Sequence, residues 1–200
     1  MNVEIRKLTP DLLEDYLQFF ETEAHADNKD EDRCYCVCWC SEDHRGNMDF
    51  STPEKRRELA MQYINNGSIQ GYLAYHDDRV VGWCNANTKS DCLNCISWLR
   101  FMTTVKTEEN TPDVKVKSIF CFTIAQNMKR KGIATQLLNH VCKDASEEGY
   151  DFIEVYPNKK FKSVFSDFMG PIDIYSKTGF TIHEELKDTY VMRKQLKEIV

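Results

Sequence analysis

No apolar run in this 200-residue chain approaches the length needed to cross a bilayer, so no membrane partner is expected. The opening residues, MNVEIRKLTP, hold no apolar segment of the secretory kind, and a cytoplasmic location is expected. Excess positive charge is missing as well. The formal net charge is −6, which gives nucleic-acid binding no electrostatic support. There is no internal repeat and no low-complexity tract. There is also no Gly-Lys-Ser/Thr phosphate loop and no Gly-x-Gly-x-x-Gly near the start, which removes two common nucleotide-binding folds. What remains is ordinary for a soluble globular protein: 42% apolar and 29% charged residues. Two hundred residues suit a single domain, 1–200, with enough chain for a sizeable core.

Cysteine is abundant instead, with nine residues. The number is odd and no secretory segment precedes it, so free thiols are expected. Cys34, Cys36, Cys38 and Cys40 alternate with Tyr35, Val37 and Trp39. Read as a strand, the run would carry thiols on one face and aromatic or aliphatic groups on the other. Asp91-Cys92-Leu93-Asn94-Cys95 adds a Cys-x-x-Cys. Zinc favours pairs two to four residues apart, and alternating neighbours close poorly around one ion, so no metal is expected. Packing, or a thiol-rich pocket wall, is the simpler reading, because free Cys behaves as a small hydrophobe.

Val3 to Lys7 predicts a strand, and Thr9-Pro10-Asp11 starts a helix reaching about Ala24. A second helix runs from Thr52-Pro53-Glu54 to Asn66-Gly67. Ile69–Tyr75 and Arg79–Ala86 predict an antiparallel hairpin, followed by a long segment with a helical piece around Ile96 to Met102. Gly170-Pro171 opens a short helix containing Tyr175 that Gly179 stops, and Phe180–Glu185 with Tyr190–Lys194 closes the chain as a hairpin. The fold class is α+β, a mixed, mostly antiparallel central sheet with helices on both faces. The acids Glu21, Glu23, Asp27, Asp30, Glu31 and Asp32 read as a solvated helix end and loop, with attraction of a cationic amine as the sharper alternative.

The stretch from Lys117 to Asn158 carries the chemistry. It reads strand (SIFCFTIA), basic glycine turn (KRKGIA), amphipathic helix, strand (DFIEVYPN). A helix's first turn presents N–H groups without intrahelical partners, at the positive end of its dipole. Gly132 lets a ligand approach the backbone, and Lys129, Arg130 and Lys131 supply charge beside it. Together they form a cradle for a phosphate or pyrophosphate.

Lys129-Arg130-Lys131-Gly132-Ile133-Ala134 resembles the Gln/Arg-x-x-Gly-x-Gly/Ala signature of the GNAT superfamily of acetyl-CoA-dependent N-acetyltransferases. Tyr175-Ser176-Lys177-Thr178-Gly179-Phe180 is similar to a second feature of that family, and the element order agrees over almost the whole chain. The resemblance implies acetyl-CoA as co-substrate, with its pyrophosphate on Lys129, Arg130, Lys131, Gly132, Ile133, Ala134 and Thr135. It implies pantetheine bonded to the main chain of Phe122, Thr123 and Ile124, and Tyr175 as the acid that protonates the leaving thiolate. It implies direct transfer to a primary amine of a small molecule or peptide, by a monomer or homodimer. Lys129 departs from the usual Gln/Arg, and the fourth strand has Ser118 where members often carry a basic carboxylate. His44, His76, Glu154 and a backbone-held water remain open as the base, with His140 read onto the outer face of its helix. The alternative is a coenzyme-binding thiol or metal sensor without catalysis, built on Cys34 to Cys40.

Overall fold

The computed structural model describes residues 1–25, 33–42, 48–107, 113–161, 163 and 167–196. Seven strands make one sheet: β1 (Glu4–Lys7), β2 (Gly71–His76), β3 (Arg79–Thr88), β4 (Val116–Ile124), β5 (Phe152–Val155), β6 (Thr181–Glu185) and β7 (Tyr190–Gln195). Their spatial order is β1-β2-β3-β4-β5-β7-β6. Every neighbouring pair is antiparallel except β4 and β5. Parallel neighbours need a crossover, and α5 (Ile133–Glu147) provides it. The other helices are α1 (Leu13–Thr22), α2 (Pro53–Asn65), α3 (Lys89–Cys92), α4 (Ile96–Phe101) and α6 (Ile172–Lys177).

Successive residues on a strand face opposite sides, and β3 shows which helix covers each side. A Cβ on Gly82 would stand 3.1 Å from Ile133 and 3.4 Å from Leu137 of α5. The next residue, Trp83, packs edge-on against Tyr16 of α1, with centroids 4.9 Å apart. Helices therefore cover both faces, as the sequence predicts. On α5 the stripe Ile133, Leu137, Leu138, Val141 and Ala145 is buried throughout, each large aliphatic chain contributing about 1.5–3 kcal/mol. Thr52 caps α2 by accepting the Lys55 N–H at 3.3 Å, and Pro53 occupies its first turn.

The cysteine run departs from the strand reading. Residues 37–39 form a single 3₁₀ turn, and the non-glycine residues Tyr35 and Cys36 before it have φ of 46° and 51°. A left-handed pair cannot continue a β ladder, so the thiols do not share one face. The structure places Val37 in the main core and Trp39 in a second cluster with Cys92, Cys95, Trp98, Phe120 and Tyr156.

Candidate active site

The sheet opens at its middle. Across β3 and β4, Asn85 pairs with Cys121 and Ala86 with Ile119, leaving Phe120 as an extra residue on β4. Such a bulge bends its strand and breaks the local ladder. On the other side, β4 pairs with β5 only from Val116–Phe152 to Ile119–Val155. The two central strands part at the bulge. The main chain of Phe122, Thr123 and Ile124 lies along the resulting gap, with half-buried side chains.

The gap leads to the basic turn. After β4 the chain makes one 3₁₀ turn at Gln126–Met128 and reaches Gly132, the N-cap of α5, at φ 81°. Arg130 is also left-handed, at φ 65°. An added Cβ on Gly132 would meet nothing within 4 Å, so the space above this N-cap is open. Gln136 N–H to Gly132 carbonyl, 3.1 Å, is the first bond of the helix, which leaves the N–H groups of Ile133, Ala134 and Thr135 in the unpaired first turn. Arg130, Lys131, Gly132 and Thr135 are exposed, Lys129 and Ala134 half-buried, and Ile133 turns into the core.

Tyr175 on α6 is wholly buried and packs edge-on against Phe180, centroids 5.5 Å apart. Its hydroxyl donates to the Met169 carbonyl. Burial pushes its phenol well above the ordinary range, so the proton stays on at neutral pH. The same stretch of chain touches β4, because the Phe122 N–H donates to the Phe168 carbonyl at 2.7 Å. Residues Asp167–Gly170 thus form a strap across the gap, engaging both the Phe122 N–H and the Tyr175 hydroxyl. The strap is tied back by Asn158, whose side-chain amide donates to Asp167 at 2.8 Å.

Comparison with known proteins agrees with this geometry. The profile of the Acetyltransferase (GNAT) family matches residues 7–170. The chain belongs to the GNAT family. Three solved structures show the same fold. One is an N-acetyltransferase from Staphylococcus aureus Mu50, 14% identical, TM-score 0.53, covering 98% of this chain and 99% of that one. The PaiA N-acetyltransferase of Thermoplasma acidophilum, solved in complex with coenzyme A, is 17% identical at TM-score 0.52, covering 98% and 99%. A ribosomal-protein-alanine N-acetyltransferase from Brucella melitensis is 16% identical at TM-score 0.54, covering 96% and 99%. At these identities the likeness is one of fold. No curated protein matches the chain in sequence.

Within this GNAT fold, His76 and Glu154, both considered as a base, and His140 stand in different surroundings. His76 ends β2, paired with Arg79 and beside Asp77 at 3.6 Å, beyond the Gly82–Ile124 pair and away from the bulge. His140 faces Asp144 at 3.6 Å on α5 and the ring of Tyr72. His44 and the acids Asp27, Asp30, Glu31 and Asp32 lie outside the described residues. Glu154 does stand beside the parting strands, but it is fully buried and already bonded. It receives Lys89 at 2.9 Å, Arg193 and the Tyr156 hydroxyl at 2.8 Å. Ser118 joins that network through the Tyr156 hydroxyl at 2.7 Å. Those partners occupy its carboxyl group.

Several features beside the gap were not visible in the sequence. Phe120 stacks between Trp39, at 4.5 Å and 11°, and Tyr156, at 5.9 Å and 8°. Trp39 also walls a cavity of about 740 Å³ shared with Tyr63, Glu42, Asp91, Asn87 and Cys92. Asn87 is the β3 partner of Ser118, so the cavity reaches the sheet close to the bulge. Beside it, the buried Asn85 accepts from the Asn87 amide at 2.6 Å, while its own Nδ2 has no hydrogen-bond partner among the described residues. Among the described residues, no group of three or more His, Cys, Asp or Glu is arranged to hold a metal ion. No helix among them is long and apolar enough to cross a membrane.

Proposed function

We propose that residues 1–200 act as one acetyltransferase domain that moves acetyl from acetyl-CoA to the primary amine of a cationic small molecule or peptide. The observation that carries this reading is the gap that starts at the Phe120 bulge and ends at the open N-cap of α5. The pyrophosphate sits on Lys129 to Thr135, where the helix dipole and three cationic side chains favour it. The pantetheine arm bonds to β4 as an added strand would, taking the place of the Phe168 carbonyl at the Phe122 N–H. The strap moves aside in that exchange, which also releases the Tyr175 hydroxyl from Met169.

The amine enters from the cavity beside Trp39. Glu42 and Asp91 favour a cation there, and the Trp39 and Tyr63 faces are suited to hold one. The neutral amine attacks the thioester carbonyl, and a β4 N–H stabilises the oxyanion that forms. The departing thiolate takes its proton from Tyr175, and the proton that the acylated nitrogen sheds passes through water to restore the phenol. Transfer is direct, within one ternary complex. The spare Nδ2 donor of Asn85 is available to an acceptor atom of the substrate beside the bulge.

The test is release of CoA thiol from acetyl-CoA across polyamines, aminoglycosides, amino acids and peptides. Release that depends on a cationic amine, with one acetyl gained by the amine, supports the reading. Thiol release at the same rate without any amine would sink it.

A further inference from the structure

Around the left-handed turn at Tyr35 and Cys36, the structure gathers thiols that acetyl transfer does not use. The Trp83 indole donates to the Cys36 sulfur at 3.4 Å, and the thiols of Cys34 and Cys121 both act electrostatically on Cys36. The His25 ring acts electrostatically on Cys34, and its Nε2 is buried and unpartnered among the described residues. Cys34 is exposed to solvent, whereas Cys36 is 3% exposed. The backbone makes the pairing feasible. A single left-handed residue between two cysteines sets their Cα atoms about 5.4 Å apart, near the commonest disulfide separation. In an extended strand the same spacing stretches to about 6.6 Å, at the edge of that range. Two consecutive left-handed residues without glycine are uncommon, and here they hold the two thiols together.

We propose that Cys34 and Cys36 form a thiol-modification site for low-molecular-weight disulfides, with Cys34 as the attacking sulfur and Cys36 as the resolving one. The two environments differ in the sense this requires. Hydrogen bonds from Cys36 and then His25 hold the Cys34 thiol well below the usual range, whereas those with Cys121 and Cys34, together with burial, push Cys36 well above it. In the first step the Cys34 thiolate attacks one sulfur of the small disulfide. A mixed disulfide forms and one small thiolate leaves. In the second step Cys36 loses its proton to that thiolate and attacks the Cys34 sulfur. The Cys34–Cys36 bond forms, and the second half of the small disulfide leaves as a thiolate, which water protonates. Two protein thiols are oxidised and one disulfide is reduced to two thiols. Cys36 leaves its contacts with Trp83 and with Cys121, which stands beside the Phe120 bulge, so oxidation reaches β4.

The experiment uses the full chain and oxidised glutathione at neutral pH, read by intact mass and peptide mapping, with no coenzyme present. The parent should lose two thiols and yield a peptide linked between Cys34 and Cys36. Cys36→Ser should retain one glutathione on Cys34, and Cys34→Ser should react at least tenfold more slowly than the parent. Limiting iodoacetamide on the parent tests the same assignment without any substitution, and Cys34 should be alkylated before the other eight cysteines. A different cysteine labelled first, equal rates for Cys34→Ser and the parent, or stoichiometric zinc held by the purified chain and lost in Cys34→Ser would overturn the proposal.

Discussion

Gly132 and Tyr175 are the residues on which the proposed chemistry is most directly tested. Gly132 sits at φ 81° with open space around its missing Cβ, so a side chain there costs backbone energy and causes no clash. Gly132→Ala should lose about 1–2 kcal/mol of stability and keep the fold. Gly132→Asp should in addition abolish acetyl-CoA binding, because its carboxylate meets the pyrophosphate; calorimetry on the two variants separates strain from charge. Tyr175→Phe removes the donor to the Met169 carbonyl and the proposed proton for the thiolate. Turnover should fall roughly a hundredfold or more, with acetyl-CoA affinity changed far less. Equal turnover in steady-state assays would remove Tyr175 from the mechanism. Both residues were legible in the sequence because their motifs are local: a glycine after a basic triplet before a helix, and a tyrosine four residues before Gly179.

The strap and the bulge were not legible, and the reason is physical. A bulge exists only in the pairing of two strands, and nothing in IFCFTI distinguishes Phe120 from its neighbours until Asn85 and Ala86 are set opposite. The bond from Phe122 to Phe168 joins backbone groups 46 residues apart, and backbone groups carry no sequence signature. The Cys34–Cys40 alternation misled in the opposite direction, since a period of two has no structural meaning once Tyr35 and Cys36 turn left-handed. Strand and helix order, by contrast, followed from apolar spacing and caps such as Thr52-Pro53. The strap has a testable effect of its own. If the coenzyme arm competes with Phe168 for the Phe122 N–H, weakening the strap should tighten binding. Asn158→Ala removes the 2.8 Å tie to Asp167. Its acetyl-CoA dissociation constant should fall about threefold to tenfold, since each 1.4 kcal/mol of closed-state preference is a factor of ten. Weaker binding by Asn158→Ala in the same calorimetry would argue against the competition.

Across the whole molecule, buried charge ties the sheet to its flanking elements. Glu154 on β5 joins α3 through Lys89 and β7 through Arg193, all three largely out of solvent. Glu154→Ala breaks the buried ion pairs with Lys89 and Arg193 and should cost about 3–5 kcal/mol in denaturant unfolding. Glu148, after α5, is pushed up by its burial, but Lys7 and Lys117 outweigh that and hold its carboxyl below the usual range. A carboxyl lowered on folding contributes stability above its unfolded value, about 4.3, and that contribution is lost as pH falls through its folded value. Unfolding midpoints should therefore drop as pH falls below about 4.3, and Glu148→Gln should flatten that acid limb. The surplus residue in β4 has a further consequence. Deleting Phe120 would let Asn85, Ala86 and their partners run in uninterrupted register, and β4 could zip further along β5. Such a chain would make a more regular sheet and a poorer catalyst. On the proposed function, the opening at the centre of this molecule is a trade, in which cohesion is surrendered at one residue to keep a doorway for substrate.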